Sequence, residues 1–285
     1  MEKRPARVIR PGGQSAAEAP MKAPAQKERK AQIEDLMRSA KDTDSRFKAP
    51  NCQWCPASKS KCYYSELSDD VKPLWLALRK HIKYKDGHEI FSQGTISISV
   101  YIVCKGQAGI IRMDEDGHEL LAHIAEQGEL VGDRAFCAGG DYKESAIVIG
   151  RETMISHIRA AAFDQLLDIE PRLVRLLLKV RSKELGSAEK RAVALAFMSI
   201  SDRVEEVLAK KSKDLRFPYT RDRLASMVGV APETLSRTLK PMEAKGLIRR
   251  SEKDITLTQR FVEQYNRKME ERGKKRRLGA ERNPK

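Results

Sequence analysis

From Gly87 to Ile158 the chain alternates short apolar, β-branched runs with glycine-bearing turns. The runs are SISVYIVCKGQAGIIRM, ELLAHIAEQGELVG and ESAIVIGRETMISHI; the turns are Asp86-Gly87, Gln93-Gly94, Asp116-Gly117, Gln127-Gly128 and Gly139-Gly140. Many short strands punctuated in this way predict an antiparallel sandwich or small barrel. After Pro171 the period lengthens. Leu173, Leu176, Leu177, Val180, Leu185, Ala188, Ala192 and Leu195 recur at three- and four-residue steps. This predicts a long amphipathic helix over residues 171–200, interrupted at Gly186-Ser187. Such a helix exceeds what one small sheet domain needs to cover itself. A coiled-coil seam between two copies is its expected use; packing on its own domain alone is the alternative.

Residues 201–262 read as a separate module. Helices are expected over Asp202–Lys211, Tyr219–Val228 and Pro232–Lys245, and LIRRSEKDITLT reads as two short strands around a turn. Within it, Thr220 can cap a helix and Gly229 makes the turn. Leu224, Val228 and Val230 face inward, and Leu235 and Leu239 anchor the following helix. A helix–turn–helix with a β-wing places the first turn of its second helix in the major groove. Here that turn carries Glu233, Thr234, Ser236 and Arg237. Arginine can bind guanine through two hydrogen bonds and glutamate can accept from the cytosine amino group. Thr220 and Thr234 are better placed for phosphates, which fix register without reading sequence.

Charge sharpens this picture. The 285 residues carry a formal net charge of +15. Residues 49–200 hold 20 basic and 20 acidic residues, whereas residues 1–48, 201–260 and 261–285 each hold a surplus of five positive charges. A neutral sensing or assembly domain joined to a basic nucleic-acid-binding module fits that asymmetry, with double-stranded DNA as the expected partner. Residues 1–48 are rich in Ala, Pro, Lys and Glu and read as a disordered basic tail with a transient helix through Glu28–Ser39; residues 263–285 read as a basic C-terminal tail. No stretch approaches the ~20 apolar residues of a membrane span. The start, MEKRPARVIRPGG, lacks the apolar core of a secretory signal, so a cytoplasmic location is expected.

The order of roll, long helix and winged helix, with PETLSRTLKPMEAKGLI, resembles the CRP/FNR family of bacterial transcription regulators over about residues 50–260. The resemblance implies an α+β fold: an N-terminal antiparallel β-roll of the cyclic-nucleotide-binding, jelly-roll type over 49–170, a dimerisation helix over 171–200, and a C-terminal winged helix–turn–helix over 201–262. Glu233, Ser236 and Arg237 match the E-x-x-S-R recognition pattern of the FNR branch. That match implies a homodimer on two-fold symmetric DNA with TTGAT-type half-sites. By family analogy alone, turns near Asp114–Gly117 would touch RNA polymerase.

The cysteines suggest what is sensed. Cys52, Cys55 and Cys62 lie within eleven residues, directly before the roll. Such spacing lets one loop wrap a metal centre, and thiolates are the ligands that iron–sulfur clusters prefer. The triad is similar to the one that holds an oxygen-sensitive 4Fe-4S cluster in FNR-type proteins. Those supply a fourth cysteine from a late strand, where this chain has Ser156. Cys104, on a strand expected to neighbour 154–158, is the preferred substitute and Cys137 the runner-up; His157 or a carboxylate is a further candidate. Zinc accepts the same thiolates. A triad without metal is the remaining alternative, in which case the regulator would answer to another small ligand or to thiol redox state.

Other ligands and classes fit less well. The cyclic-nucleotide branch uses a G-E pair and an R-S pair; Gly132-Asp133 and Glu144-Ser145 stand at those places here. A carboxylate where a phosphate needs a cation repels it, so cyclic AMP is not expected, although Lys143 adjoins. A metal-dependent sandwich enzyme would draw on His81, His88, His118, His123 and His157, but no two of them show the single-face spacing of a catalytic metal motif. No P-loop or G-x-S-x-G is present. A DNA-packaging role leaves the neutral domain and the cysteines unexplained.

Overall fold

The computed structural model describes residues 26–40, 52, 55, 62–251 and 254–281. The chain opens with helix α1 (Gln26–Ala40). Residues 63–66 form a single 3-10 turn and α2 (Lys72–Leu78) follows, started by a proline. Then come strands β1 (Lys80–Tyr84), β2 (Glu89–Phe91), β3 (Ser99–Met113), β4 (Glu119–Ala125) and β5 (Leu130–Val131). Helix α3 (Asp133–Ala138) leads to the long strand β6 (Ser145–Arg159), and then to α4 (Ala160–Ile169) and α5 (Pro171–Phe197). The C-terminal module holds α6 (Ile200–Lys211), β7 (Arg216–Phe217), α7 (Arg221–Val228), α8 (Pro232–Ala244), β8 (Ile248–Arg250), β9 (Ile255–Leu257) and α9 (Gln259–Glu281).

The first sheet runs β1-β6-β3-β4, with β2 on β6 and β5 on β3, every pairing antiparallel. The two fifteen-residue strands β3 and β6 form its spine. They bend where their register slips around Lys105. Gly106 makes the bend possible: its φ is +83°, and a Cβ there would stand 2.3 Å from the Thr153 hydroxyl oxygen. A curled sheet of this kind closes over its own apolar face, where Val103, Ala108, Ala125, Val148 and Ile155 are buried. A second core joins Trp75, Ile102, Ile158, Phe163, Leu166, Leu173 and Leu177, and the buried Cys52 and Cys62 belong to it.

Three expectations from the sequence are corrected. First, the helix expected to be transient in a disordered tail, through Glu28–Ser39, is a docked one. Leu36 and Ala40 of α1 are buried, with Ile33 and Met37 on the same core. These four residues form an i, i+3, i+4, i+7 stripe that suffices to anchor an otherwise charged helix. Arg29 adds a polar clasp, donating to the Ser68 hydroxyl at 2.6 Å and pairing with the buried Glu170 at 3.4 Å. The remainder of 1–48 lies outside the described residues. Second, α5 runs unbroken through Gly186-Ser187. The Ser187 hydroxyl folds back onto the Lys183 carbonyl at 3.0 Å, so the helix loses some propensity without losing continuity. Third, the basic C-terminal stretch continues helix α9 as far as Glu281.

The winged module has its own core of Val204, Leu208, Phe217, Leu224, Leu235, Leu239, Ile248 and Phe261. Its sheet runs β7-β9-β8. Helix α7 packs against β4 of the roll, and Tyr219 and Met227 meet Ile111, Leu121 and Ile124 there. Among the described residues no helix is long and apolar enough to cross a membrane.

Candidate nucleic-acid interface and cysteine site

Helices α7 and α8 are positioned by local signals. The Thr220 hydroxyl accepts from the Arg223 amide at 3.3 Å, which fixes the start of α7. Gly229 ends it with a left-handed φ of 72°, and Pro232 opens α8. Leu235 and Leu239 face the core, so the opposite side of α8 turns outward. Glu233, Arg237 and Lys240 are exposed there, and Thr234 and Ser236 are half-buried beside them. Among the described residues neither Glu233 nor Arg237 is tied down by an ion pair, so both are available to a partner. The Thr234 carbonyl is engaged by the Thr238 hydroxyl at 2.9 Å. The wing strands β8 and β9 are held to α8 by Arg250, which donates to Glu243 at 2.8 Å and holds that carboxyl below its ordinary range. Sequence reasoning missed the brace behind this unit: Lys268 of α9 pairs with Asp202 and, at 2.6 Å, with Glu205 of α6.

The cysteine site is built from two distant parts of the chain. Cys52, Cys55 and Cys62 approach β3 so that they and Cys104 line one cavity, with Arg79, Ile102, Val103, Gln127 and Gly128. Cys52 and Cys62 are buried, Cys55 and Cys104 half-buried. The Gln127 amide donates to the Cys55 sulfur at 3.5 Å and to the Cys104 carbonyl at 2.8 Å, tying the loop to the strand. Burial pushes the Cys62 thiol up to about 11 and raises Cys104; for Cys52 burial also raises it, against the lowering effect of Arg79. Among the described residues no three thiol sulfurs lie within 4.8 Å of one another. A single tetrahedral zinc, with Zn–S near 2.3 Å, needs closer sulfurs than that. A polynuclear cluster, whose ligands sit on different metal atoms, tolerates wider spacing. The donor set of four thiols around a buried cation suits such a thiolate-ligated cluster.

The other candidates lie elsewhere. Ser156 is fully buried and its hydroxyl is 2.7 Å from His81 Nδ1. It pairs with Ile102 in the ladder, which puts Cys104 beside it on the next strand. His157 alternates to another face and lines a small recess with Ser39, Ala40, Leu78 and Lys80. Cys137 is exposed in a shallow depression with Phe136, Ala160 and Leu167, apart from the other thiols. Asp114, Asp116 and His118 bring ligand atoms together on an exposed turn, where the Asp114 carboxylate accepts from the Asp116 and His118 amides as a turn cap. His123 pairs with Glu129 at 3.0 Å.

The place of a nucleotide pocket holds internal ion pairs. Glu144 is buried, with Arg112 and Arg134 at 3.5 and 3.6 Å. Asp133 is buried against Arg181 of α5. Neither pairing was visible in the sequence, because the arginines come from β3, α3 and α5.

Comparisons with known proteins agree with this architecture. A cyclic nucleotide-binding domain model matches residues 81–170 and a Crp-like helix-turn-helix domain model matches residues 171–261, together well over half of the chain. The cAMP-activated global transcriptional regulator CRP of Salmonella typhimurium is 23% identical over 193 residues, covering 64% of this chain and 92% of that protein. The solved structure of the c-di-GMP responsive global regulator CLP of Xanthomonas campestris is 25% identical, with a TM-score of 0.59 over 64% of this chain and 95% of that one. FixK2 from Bradyrhizobium japonicum shares the fold, with a TM-score of 0.55, 20% identity and coverage of 65% and 96%. With a curled antiparallel roll, a long helix and a helix–turn–helix in this order, the chain belongs to the CRP/FNR family of DNA-binding transcription regulators.

Proposed function

We propose that this regulator acts as a homodimer whose grip on a TTGAT-type palindrome is controlled by an oxygen- or nitric-oxide-sensitive 4Fe-4S cluster. The observation that carries the reading is the meeting of Cys104 with Cys52, Cys55 and Cys62 on one cavity. Cys104 thereby supplies the fourth ligand that Ser156 does not. When bound, the cluster supplies the oxidant-sensitive chemistry; the protein supplies four sulfurs, a dry wall and the link to α5. That link is short. Tyr63 follows Cys62 directly, is buried, and lies in the field of Asp133, Arg181 and Glu184.

Dimerisation rests on the outer face of α5. Leu178, Leu185, Val193 and Phe197 are exposed at steps of seven, eight and four residues, Phe197 by 85%. Two recognition helices clamped by such a seam read half-sites one helical turn apart only at the correct separation. A coupling of about 1–3 kcal/mol would change DNA affinity roughly 5–150-fold. The turn at Asp114–Gly117 is exposed and available to RNA polymerase.

The relatives' nucleotides do not transfer readily to this chain. Glu144 occupies Arg112 and Arg134 from within, which argues against cyclic AMP. Burial raises the Cys62 and Cys104 thiols, which argues against simple thiol redox sensing at this cavity, since that needs an accessible thiolate. Anaerobic purification tests the reading: the protein should be brown, with stoichiometric iron and sulfide and an absorption band that air bleaches. A colourless, iron-free protein from intact cells would remove the cluster and leave a regulator of another signal.

A further inference from the structure

Arg79 stands between α2 and β1 with only 4% of its surface exposed. Its Nε and one terminal nitrogen have no hydrogen-bond partner among the described residues. A guanidinium keeps its charge in every environment, so it cannot escape burial by losing a proton. A buried charge without a counter-ion is strongly unfavourable. The missing anion therefore has to be found in what Arg79 faces.

It faces the thiols. Arg79 lines the same cavity as Cys52, Cys55, Cys62 and Cys104. The segment between Cys52 and Cys62 contains no acidic residue and adds Lys59 and Lys61. The remaining wall is Ile102, Val103, Gln127 and Gly128, none of them anionic. Four thiols are the groups at hand that can become negative, and they do so when they ligate metal.

We infer that Arg79 is the built-in counter-cation of a thiolate-ligated cluster, donating hydrogen bonds to its sulfurs and setting how firmly it is held and how easily it is oxidised. This rests on the cluster reading above. Arg79 is a positioning residue with an electrostatic role, and Gln127, which donates to the Cys55 sulfur, is its neutral companion. Net charge and hydrogen bonds to sulfur are established determinants of cluster potential. Removing the cation leaves the site more negative, which disfavours the reduced state and eases oxidation.

The test uses full-length wild type, Arg79→Met and Arg79→Lys, purified without air. Iron and sulfide content, midpoint potential and thermal stability with and without metal are measured for each. Arg79→Met should hold its cluster about 10–100-fold less tightly against a chelator. Its potential should move to more negative values and its band should bleach faster in air. Arg79→Lys, which keeps the charge but loses the planar fork, should fall between. The metal-free proteins should rank the other way: apo Arg79→Met should melt higher than apo wild type, because an uncompensated buried charge has been removed. A purely structural arginine would give the opposite order. Wild-type potential and retention in Arg79→Met, or a lower apo melting temperature, would overturn the inference while leaving the cluster in place. Wild type without iron would overturn both.

Discussion

Arg181 of the long helix reaches into the roll and pairs with the buried carboxylate of Asp133, at 2.9 and 3.1 Å to its two oxygens. The same guanidinium also binds Glu184, one turn along α5. It is one polar fastening between the sensor domain and the long helix; Arg191, which donates to the Ala122 carbonyl of β4, is another. The Arg181–Asp133 pair sits beside Tyr63, whose buried hydroxyl has no hydrogen-bond partner among the described residues. Tyr63 follows Cys62 directly, so the cysteine site adjoins a pair that ties α5 to the roll.

Breaking this pair from one side should be costly. Burial pushes the Asp133 carboxyl up, and Arg181 is the main force against it. Arg181→Met leaves that carboxylate buried without compensation and should destabilise the protein by about 3–5 kcal/mol. The double variant Arg181→Met with Asp133→Asn should recover most of the loss. Urea unfolding measures both. A double variant no more stable than the single one would mean that Arg181 matters for its packing and not for its charge.

The recognition helix gives a separable pair of outcomes. Arg237→Ala should relax discrimination at one base pair of each half-site by roughly 1–3 kcal/mol, with other positions unaffected. Thr220→Ala should weaken binding alike on every sequence. It should also cost about 1 kcal/mol of stability, because its hydroxyl caps α7. Affinity measured over single-base operator variants distinguishes them. Equal loss across all variants for Arg237→Ala would assign it to the phosphates.

How far these parts were legible in the sequence depends on the range of the signal. The helix–turn–helix is written locally: Thr220 starts a helix, Gly229 ends it, Pro232 starts the next, and Leu235 and Leu239 show which side is inward. The strands of the roll are equally local, in glycine turns and β-branched runs. The helix at Glu28–Ser39 was legible but its docking was not, because the four-residue apolar stripe of α1 is diluted by charged neighbours and its anchor, Glu170, is 141 residues from Arg29. Arg79 gave no signal at all. An arginine at the end of an apolar helix ordinarily faces water, and only the fold brings it against Cys104 and the loop. The same holds for Glu144, whose arginines arrive from β3 and α3.

Histidine 81 predicts a pH dependence. Burial, then the neighbouring Arg79 and His157, hold His81 down to about 4, and its Nδ1 meets the Ser156 hydroxyl at 2.7 Å. In the unfolded chain a histidine titrates near 6.5. Between these values the unfolded state binds a proton that the folded state refuses. The contribution is therefore fully present above about pH 6.5 and is lost as pH falls toward 4, on the order of 3 kcal/mol. His81→Gln should flatten that part of the stability profile relative to wild type. Parallel profiles from pH 7 to 4 would show that His81 is solvated and carries none of it.

The brace between α9 and α6 has the opposite kind of signature. Burial works against the charged form of Asp202, but hydrogen bonds from Lys268 and the Ser199 hydroxyl outweigh it, so its carboxyl titrates below the ordinary range. A carboxylate lowered in the folded state stabilises at pH values above its unfolded value, and that support disappears as pH falls through the folded one. Lys268→Met removes the cation that Asp202 and the buried Glu205 share, and leaves Arg272, 3.3 Å from Asp202, as the remaining partner of that carboxylate. The expected cost at neutral pH is about 1–3 kcal/mol. It should shrink below about pH 4, where carboxyls become protonated. Because the first turn of α6 adjoins the end of α5, the same variant should loosen the joint between the long helix and the winged module. Amide hydrogen exchange in residues 200–205 reads that loosening directly, and unchanged protection there would confine the role of Lys268 to anchoring α9.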